Sequence, residues 1–238
     1  MAGARPKPTA IVSAMIEELR ALLPLLQGSR IERHGARDFH LGTIHGSPVV
    51  LALSGIGKVA AATTAVLLVQ VFDAPCLVFT GVAGGLAAGV EVGDVVVARQ
   101  LLQHDMDASP LFPRFEVPRT GRSRFDADAA LAAALASAAA AHRPGARVHE
   151  GLIVSGDRFV SSRAESDALR ALLPDALAVE MEGAAVAQVC ADFGRPFGVV
   201  RTISDRADDA AHVAFAHFID EIASATTRAI VEAWLATR

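Results

Sequence analysis

The chain has 238 residues, 52% of them hydrophobic and 20% charged, with 22 Lys and Arg against 26 Asp and Glu for a net charge of −4. Glycine (19) and proline (11) are used at ordinary rates and apolar content is high, which excludes collagen-like, low-complexity and disordered classes. The acidic balance and scattered basic residues remove the electrostatic term that binds nucleic acid or anionic membranes, so neither is an expected partner.

Thr9–Ser13 reads as a buried strand, and apolar residues at helical spacing predict a helix from about Met15 to Leu26. Phe39–Ile44 and Pro48–Ser54 read as strands. The turn Gly55-Ile-Gly57 then opens an Ala-rich helix running to about Val71. Leu77–Thr80 is a short buried strand that ends in a Gly-rich turn, Gly81–Gly85, and Val95–Leu102 is the next strand. His104–Arg124 has no periodicity and reads as a long loop, a feature that is usually functional or disordered. A helix over Ala127–Ala141, a strand over Val148–Ser155, a helix over Arg163–Leu172 and a strand over Ala176–Glu180 follow. A helix from Met181 is apolar nearly all round and stops at Gly194 with Pro196 beyond it. Phe197–Asp205 is a last buried strand. The final helix spaces Phe215, Phe218, Ile219, Ile222, Ile230 and Trp234 on one face.

This alternation predicts a single-domain α/β fold, a mixed, mostly parallel central sheet flanked by helices. No linker divides the chain, so residues 1–8 are expected to be a tail and 9–238 one domain. No apolar stretch reaches the ~18–20 residues needed to cross a bilayer, and the N-terminus lacks a signal-peptide pattern, so a soluble cytoplasmic protein is expected. Cys76 and Cys190 sit in apolar runs without metal or disulfide spacing and read as buried thiols.

Gly55-Ile-Gly57-Lys-Val-Ala60 fits GxGxxA between strand and helix, yet Asp73 precedes the next strand instead of ending it, as a dinucleotide site would require. A Walker A loop fails too, with Ala52 and Val59 at its diagnostic positions. These glycines therefore allow close backbone approach, to ligand or to a packed helix. The histidines form neither HExxH nor HxxxH, and the His104-Asp105-Met-Asp107 cluster reads as a hydrogen-bonded loop, so no metal is expected. GxSxG is absent as well, leaving no esterase nucleophile.

Carboxylates where strands end are more informative, because ligands of parallel sheets sit outside those ends. Glu17 and Glu18 follow the first strand, Glu180 and Glu182 a later one, and Asp205 ends an apolar run. Acids in apolar surroundings are costly unless paired or protonated. Converging on one cleft, they suit hydrolysis at a sugar carbon: a protonated acid helps the leaving group and an ionised one activates water.

Six segments then occur in order: Ala14–Glu18, Ser54–Ala60, Thr80–Gly85, Gly151–Asp157, Val179–Glu182 and Arg201–Asp205. Together they resemble the bacterial 5′-methylthioadenosine/S-adenosylhomocysteine nucleosidases, within the nucleoside phosphorylase superfamily, over about residues 9–236. The resemblance implies a nucleoside phosphorylase-like fold and release of adenine from 5′-thio-substituted adenosines, by a homodimer without cofactor or metal. It makes Asp205 the general acid at adenine N7 and Glu18 the group that activates water, with Arg201 nearby. Glu182 and the Met181 backbone would hold the ribose hydroxyls. Phe159 would stack on the purine and the Val160 backbone read its edge, while Ile56, Met15, Met181 and Phe215 surround ribose and 5′-thioalkyl group. Glu180 and Ser204 travel with their motifs as substrate-binding candidates.

Two alternatives are a phosphorylase on the same fold and a non-catalytic nucleoside-binding protein. Phosphorolysis needs arginines for the dianion, and Phe79 stands where the related phosphorylases carry one before the Gly-rich turn. Val82 replaces a serine that supports the catalytic Asp in some relatives. The segment Gln100–Asp107 resembles members that also accept 6-amino-6-deoxyfutalosine; 5′-deoxyadenosine is a further candidate substrate.

Overall fold

The computed structural model describes residues 7–142, 147–209, 211 and 224–238. Strand β1 (Thr9–Ser13) is buried at every position and lies between two parallel neighbours, β4 (Ser47–Leu53) and β5 (Leu77–Gly85). Strands buried on both faces read as continuous apolar runs, and β10 (Phe197–Asp205) is another. The sheet order is β10-β6-β8-β9-β5-β1-β4-β3-β2, where β2 is Gln27–His34, β3 Arg37–Ile44, β6 Val95–Gln103, β8 Val148–Ser155 and β9 Ala176–Glu180. A short β7 (Arg124–Asp126) pairs with β6.

An additional β10–β5 pairing closes β5, β10, β6, β8 and β9 into a ring, from which β1, β4, β3 and β2 extend as an open wing. Antiparallel ladders match the parallel ones in number among the described residues, five of each, a larger antiparallel share than strand–helix alternation suggests. Helices cover both faces. On one, α2 (Lys58–Gln70) and α5 (Gly183–Asp192) pack Ala61, Ala65, Leu68, Ala184 and Cys190 into the core. On the other, α1 (Ile16–Leu22), α3 (Ala129–His142) and α6 (Ser224–Leu235) bury Leu19, Leu22, Leu135, Ile230 and Trp234. Helix α4 (Arg163–Leu172) covers the end of β8 and β9 through Leu169, in a smaller cluster with Leu152, Val154 and Val179.

Several expectations change. The helix predicted to reach Leu26 is α-helical only to Leu22 and tightens into a 3₁₀ turn over Leu23–Leu25, where Pro24 cannot continue α hydrogen bonding. The Gly81–Gly85 turn is instead the second half of β5: Arg201 pairs with Gly81 and Val179 with Gly84. Strands β2 and β7 have no counterpart among the strands that hydropathy patterning predicts. Both cysteines are buried free thiols as expected, burial pushing Cys190 up to about 12. Phe215, Phe218, Ile219 and Ile222 lie outside the described residues. No helix among the described residues is long and apolar enough to cross a membrane.

Candidate active site

The carboxyl ends of β1, β5, β9 and β10 open into one cavity of about 430 Å³. Its lining includes Met15, Glu18, Ile56, Phe159, Val160, Glu180, Met181, Glu182, Arg201, Ser204 and Asp205, every candidate named from the sequence except Phe215. Sequence reasoning missed Ala14, Gly81–Gly84, Arg158 and Val179, all of which sit inside or beside the motifs already singled out.

Glu18 is buried, and its Oε2 accepts from the N–H groups of Ala14 and Met15, both at 3.1 Å. This is the reach-back of a third-position acid at a helix start, satisfying donors that the helix leaves open. Burial pushes its carboxyl up to about 7, against the opposing pull of Arg201 and those N–H groups. The chain passes very close here: a Cβ on Gly81 would stand 2.9 Å from Glu18 Oε1 and 3.1 Å from Arg201 Nη1.

Asp205 ends β10 beyond a register shift between Ile203 and Asp205. An extra residue in a ladder re-aims its side chains, which is how adjacent Ser204 and Asp205 both come to line the cavity. Ser204 Oγ donates to Asp205 Oδ2 at 2.8 Å, and the Ala207 N–H to Oδ1 at 2.7 Å. These donors supply the support that Val82 cannot. Burial nonetheless holds the Asp205 carboxyl above the usual range, the two hydrogen bonds opposing it. Ala207 is fully buried at φ 49°, its carbonyl accepting from Ser166 Oγ of α4. A Cβ on Gly84 would meet Asp205 Oδ1 at 2.9 Å and Ala207 Cβ at 3.0 Å.

Glu180, which lines the cavity, is also met from several sides by protein donors. Its oxygens accept from Ser155 Oγ, from the N–H groups of Glu182 (3.2 Å) and Gly183 (2.8 Å), and from Arg201 Nη2 (2.5 Å). An acid among the first N–H groups of a helix is favourable for both capping and dipole reasons. Glu180 is thus saturated by protein donors and organises the site. Arg201, 1% exposed, also stacks on Phe79 with its guanidinium carbon 4.2 Å from the ring centre. Among the described residues its Nε and Nη1 have no hydrogen-bond partner. Buried unpaired donors are rare enough to need a reason.

Glu182 caps α5, and its Oε1 accepts from the Gly57 N–H at 2.8 Å. Burial raises its carboxyl to about 7, with Glu180 pushing the same way and Arg201 opposing. The Gly55–Lys58 turn therefore faces a carboxylate, not a phosphate. Asp73 pairs with Lys7 and Arg195, away from any ribose position. At the rim Phe159 and Ile56 remain 42% and 59% exposed while Val160 is buried, and Arg158 pairs with Glu165. Four carboxylates line the cavity against two guanidiniums, Arg201 and Arg158, each already engaged by an acid. Among the described residues no cluster of three or more metal-ligating side chains exists. Asp105 accepts from Lys58 and from the Asp157 N–H, and the His104 backbone N–H donates to Ser155, while His104 Nε2 is buried without a partner among the described residues.

The phosphorylase superfamily model matches residues 8–236. A 5′-methylthioadenosine/S-adenosylhomocysteine nucleosidase of Hydrogenovibrio crunogenus is 37% identical over 224 residues, 94% of this chain and 96% of that protein. Its counterpart from Anoxybacillus flavithermus is 40% identical over 216 residues, 90% and 92% of the two chains. The solved Neisseria meningitidis nucleosidase, in complex with methylthio-immucillin-A, gives a TM-score of 0.93 at 37% identity, covering 98% of this chain and 100% of that one. An Asp→Asn variant of the Helicobacter pylori nucleosidase, with 5′-methylthioadenosine in its active site, gives 0.91 at 33% identity, covering 98% and 100%.

Proposed function

Because this chain belongs to the 5′-methylthioadenosine/S-adenosylhomocysteine nucleosidases of the phosphorylase superfamily, we propose that it hydrolyses the N-glycosidic bond of those two nucleosides, releasing adenine. The observation that carries this reading is the pairing of two burial-raised acids, Glu18 and Asp205, on one cavity with an aromatic ring at its mouth.

The base stacks on Phe159, a face worth roughly 1–3 kcal/mol by analogy with nucleic-acid bases, and the Val160 backbone meets its edge. Ribose lies against Glu182 and Met181, whose carboxylate and backbone take its hydroxyls. Met15 and Ile56 enclose the sugar and the 5′-thioalkyl group, an environment that favours a thioether over a free hydroxyl by desolvation. As the C–N bond breaks, its electron pair moves into adenine and a proton from Asp205 arrives at N7, leaving an oxocarbenium-like sugar. Water adds at C1′ and gives its proton to Glu18. Arg201 Nε and Nη1, buried beside Glu18 without partners among the described residues, offer donors to that water. Proton transfer by a positioned acid contributes about 10²–10⁴-fold.

The substrate range extends to 5′-deoxyadenosine and 6-amino-6-deoxyfutalosine, which present the same base. None of Gln100–Asp107 lines the cavity, so that segment acts on range only indirectly. A cytoplasmic homodimer feeding methionine salvage completes the reading. The test is product chromatography after incubation with 5′-methylthioadenosine, without and with phosphate. Adenine and free methylthioribose at equal rates support the proposal; adenine only with phosphate, accompanied by a sugar phosphate, overturns it.

A further inference from the structure

Beside the cavity, a connected set of polar side chains surrounds Lys58, the first residue of α2. Its Nζ donates to Asp105 Oδ1 at 2.6 Å and to Gln103 Oε1 at 3.1 Å. Its backbone N–H donates to Asp157 Oδ1 at 2.7 Å. Asp105 Oδ2 in turn accepts from the Asp157 N–H at 2.9 Å, and Gln103 Nε2 donates to Gln188 of α5 at 2.7 Å. One lysine thereby joins three chain segments: the turn before α2, the end of β6, and the loop after β8 that runs directly into Arg158, Phe159 and Val160. Its side chain is 16% exposed and that of Asp105 is 32% exposed, so the pair is shielded well beyond an ordinary surface ion pair. Burial acts to raise the Asp105 carboxyl, but Lys58 and the Asp157 N–H hold it below its usual range.

We propose that Lys58 is a positioning residue for ribose binding, a latch that keeps the Gly57 N–H on Glu182 and the Phe159 rim in register with it. Gly57 adopts φ 96°, a conformation that favours glycine, so the turn has little stiffness of its own and must be held from outside. The residue adjoining Gly57 is the one carrying the latch. A Cβ at Gly57 would lie 3.1 Å from Asp157 Oδ1, which leaves the turn and the loop after β8 in direct apposition. Releasing Nζ leaves Asp105 without its cation and unties the start of α2 from the end of β6, so that the turn is held to the loop after β8 only by the Lys58 backbone N–H on Asp157. Glu182 then loses its fixed donor and its orientation toward the sugar.

The inference rests on the reading that Glu182 holds ribose hydroxyls, and the experiment separates the two. Lys58→Met is assayed on 5′-methylthioadenosine and on its 2′-deoxy analogue, with Glu182→Gln alongside and thermal melting as a check of folding. For Lys58→Met the expected result is a fall of about tenfold in kcat/KM on the full substrate, mostly in KM, and under about threefold on the analogue, since misplacement of a positioned group is costly. Lys58→Arg restores part of the loss. Equal penalties on both substrates, with Glu182→Gln still discriminating between them, overturn the latch alone. No discrimination by Glu182→Gln overturns the ribose reading and this inference with it. Should Lys58→Met fail to fold, Asp105→Asn on the same two substrates gives the same decision.

Discussion

The ring and the wing of the sheet handle charge in opposite ways. Around the cavity at the ring's carboxyl end, Glu18 (brought in by α1 after β1), Glu180, Glu182 at the start of α5, Arg201 and Asp205 are all buried, and each carboxylate is met by backbone N–H groups at a helix start or a bulge. In the wing, β2 is almost wholly exposed, and its charges pair along the surface, Arg30 with Glu32 and Arg33 with Asp38. Surface pairs are screened and contribute little, whereas burial raises the carboxyl pKa values, the paired arginine opposes it, and loss of a buried partner is punished. Chemistry belongs to the cavity, because there the backbone holds acids in a state that water would not.

The comparison is broken most sharply by Asp205→Asn. Adenine release is expected to fall by about 10²–10⁴-fold while circular dichroism and melting stay near those of the parent; retained turnover removes Asp205 as the acid. Next comes Glu18→Gln. Its parent carboxyl titrates at about 7 instead of 4.5, so the folded state prefers the proton. The resulting stability is fully present below pH 4.5 and lost as pH climbs through 7. A permanently neutral Gln recovers it, so the melting temperature should rise more at pH 8 than at pH 5, by no more than about 3 kcal/mol of stability. Activity of the parent should climb through about pH 7 as Glu18 ionises. A Gln variant with undiminished turnover contradicts the water-activating role.

Gly84→Ala is milder, an overpacking of about 1–3 kcal/mol that displaces Asp205 or Ala207, visible as lower kcat with a modest drop in melting. Arg30→Ala in the wing should leave both kcat/KM and melting unchanged; a clear loss of either would show that the wing supports the site after all.

Much of this is legible in the sequence, for physical reasons. Buried strands announce themselves by apolar runs, and acids at their ends stand out against that background. Edge strand β2 is not readable, because Gln27–His34 is mostly exposed and polar and has little apolar side to alternate. Gly81–Gly85 looks like a turn since glycine weakens strands, yet its ladders with β10 and β9 prevail and the missing side chains leave room for Glu18 and Asp205. Glu180 stands out as an acid but not as the partner of Arg201, a pairing across 21 residues that only the ring brings together. Sequence alone leaves the Gly55–Lys58 turn open between ligand and packing; its glycine N–H meets a side chain 125 positions away.

Gly84 and Ala207 also have a consequence for how sequences of this kind can drift. The space between them admits one methyl group, now carried by Ala207 in a backbone conformation that glycine accepts more readily. A lineage that acquires alanine at 84 is therefore expected to acquire glycine at 207, and the reverse. More than a hundred residues separate the two positions along the chain, and the double change should recover part of the stability that Gly84→Ala alone forfeits, the contact with Asp205 Oδ1 remaining.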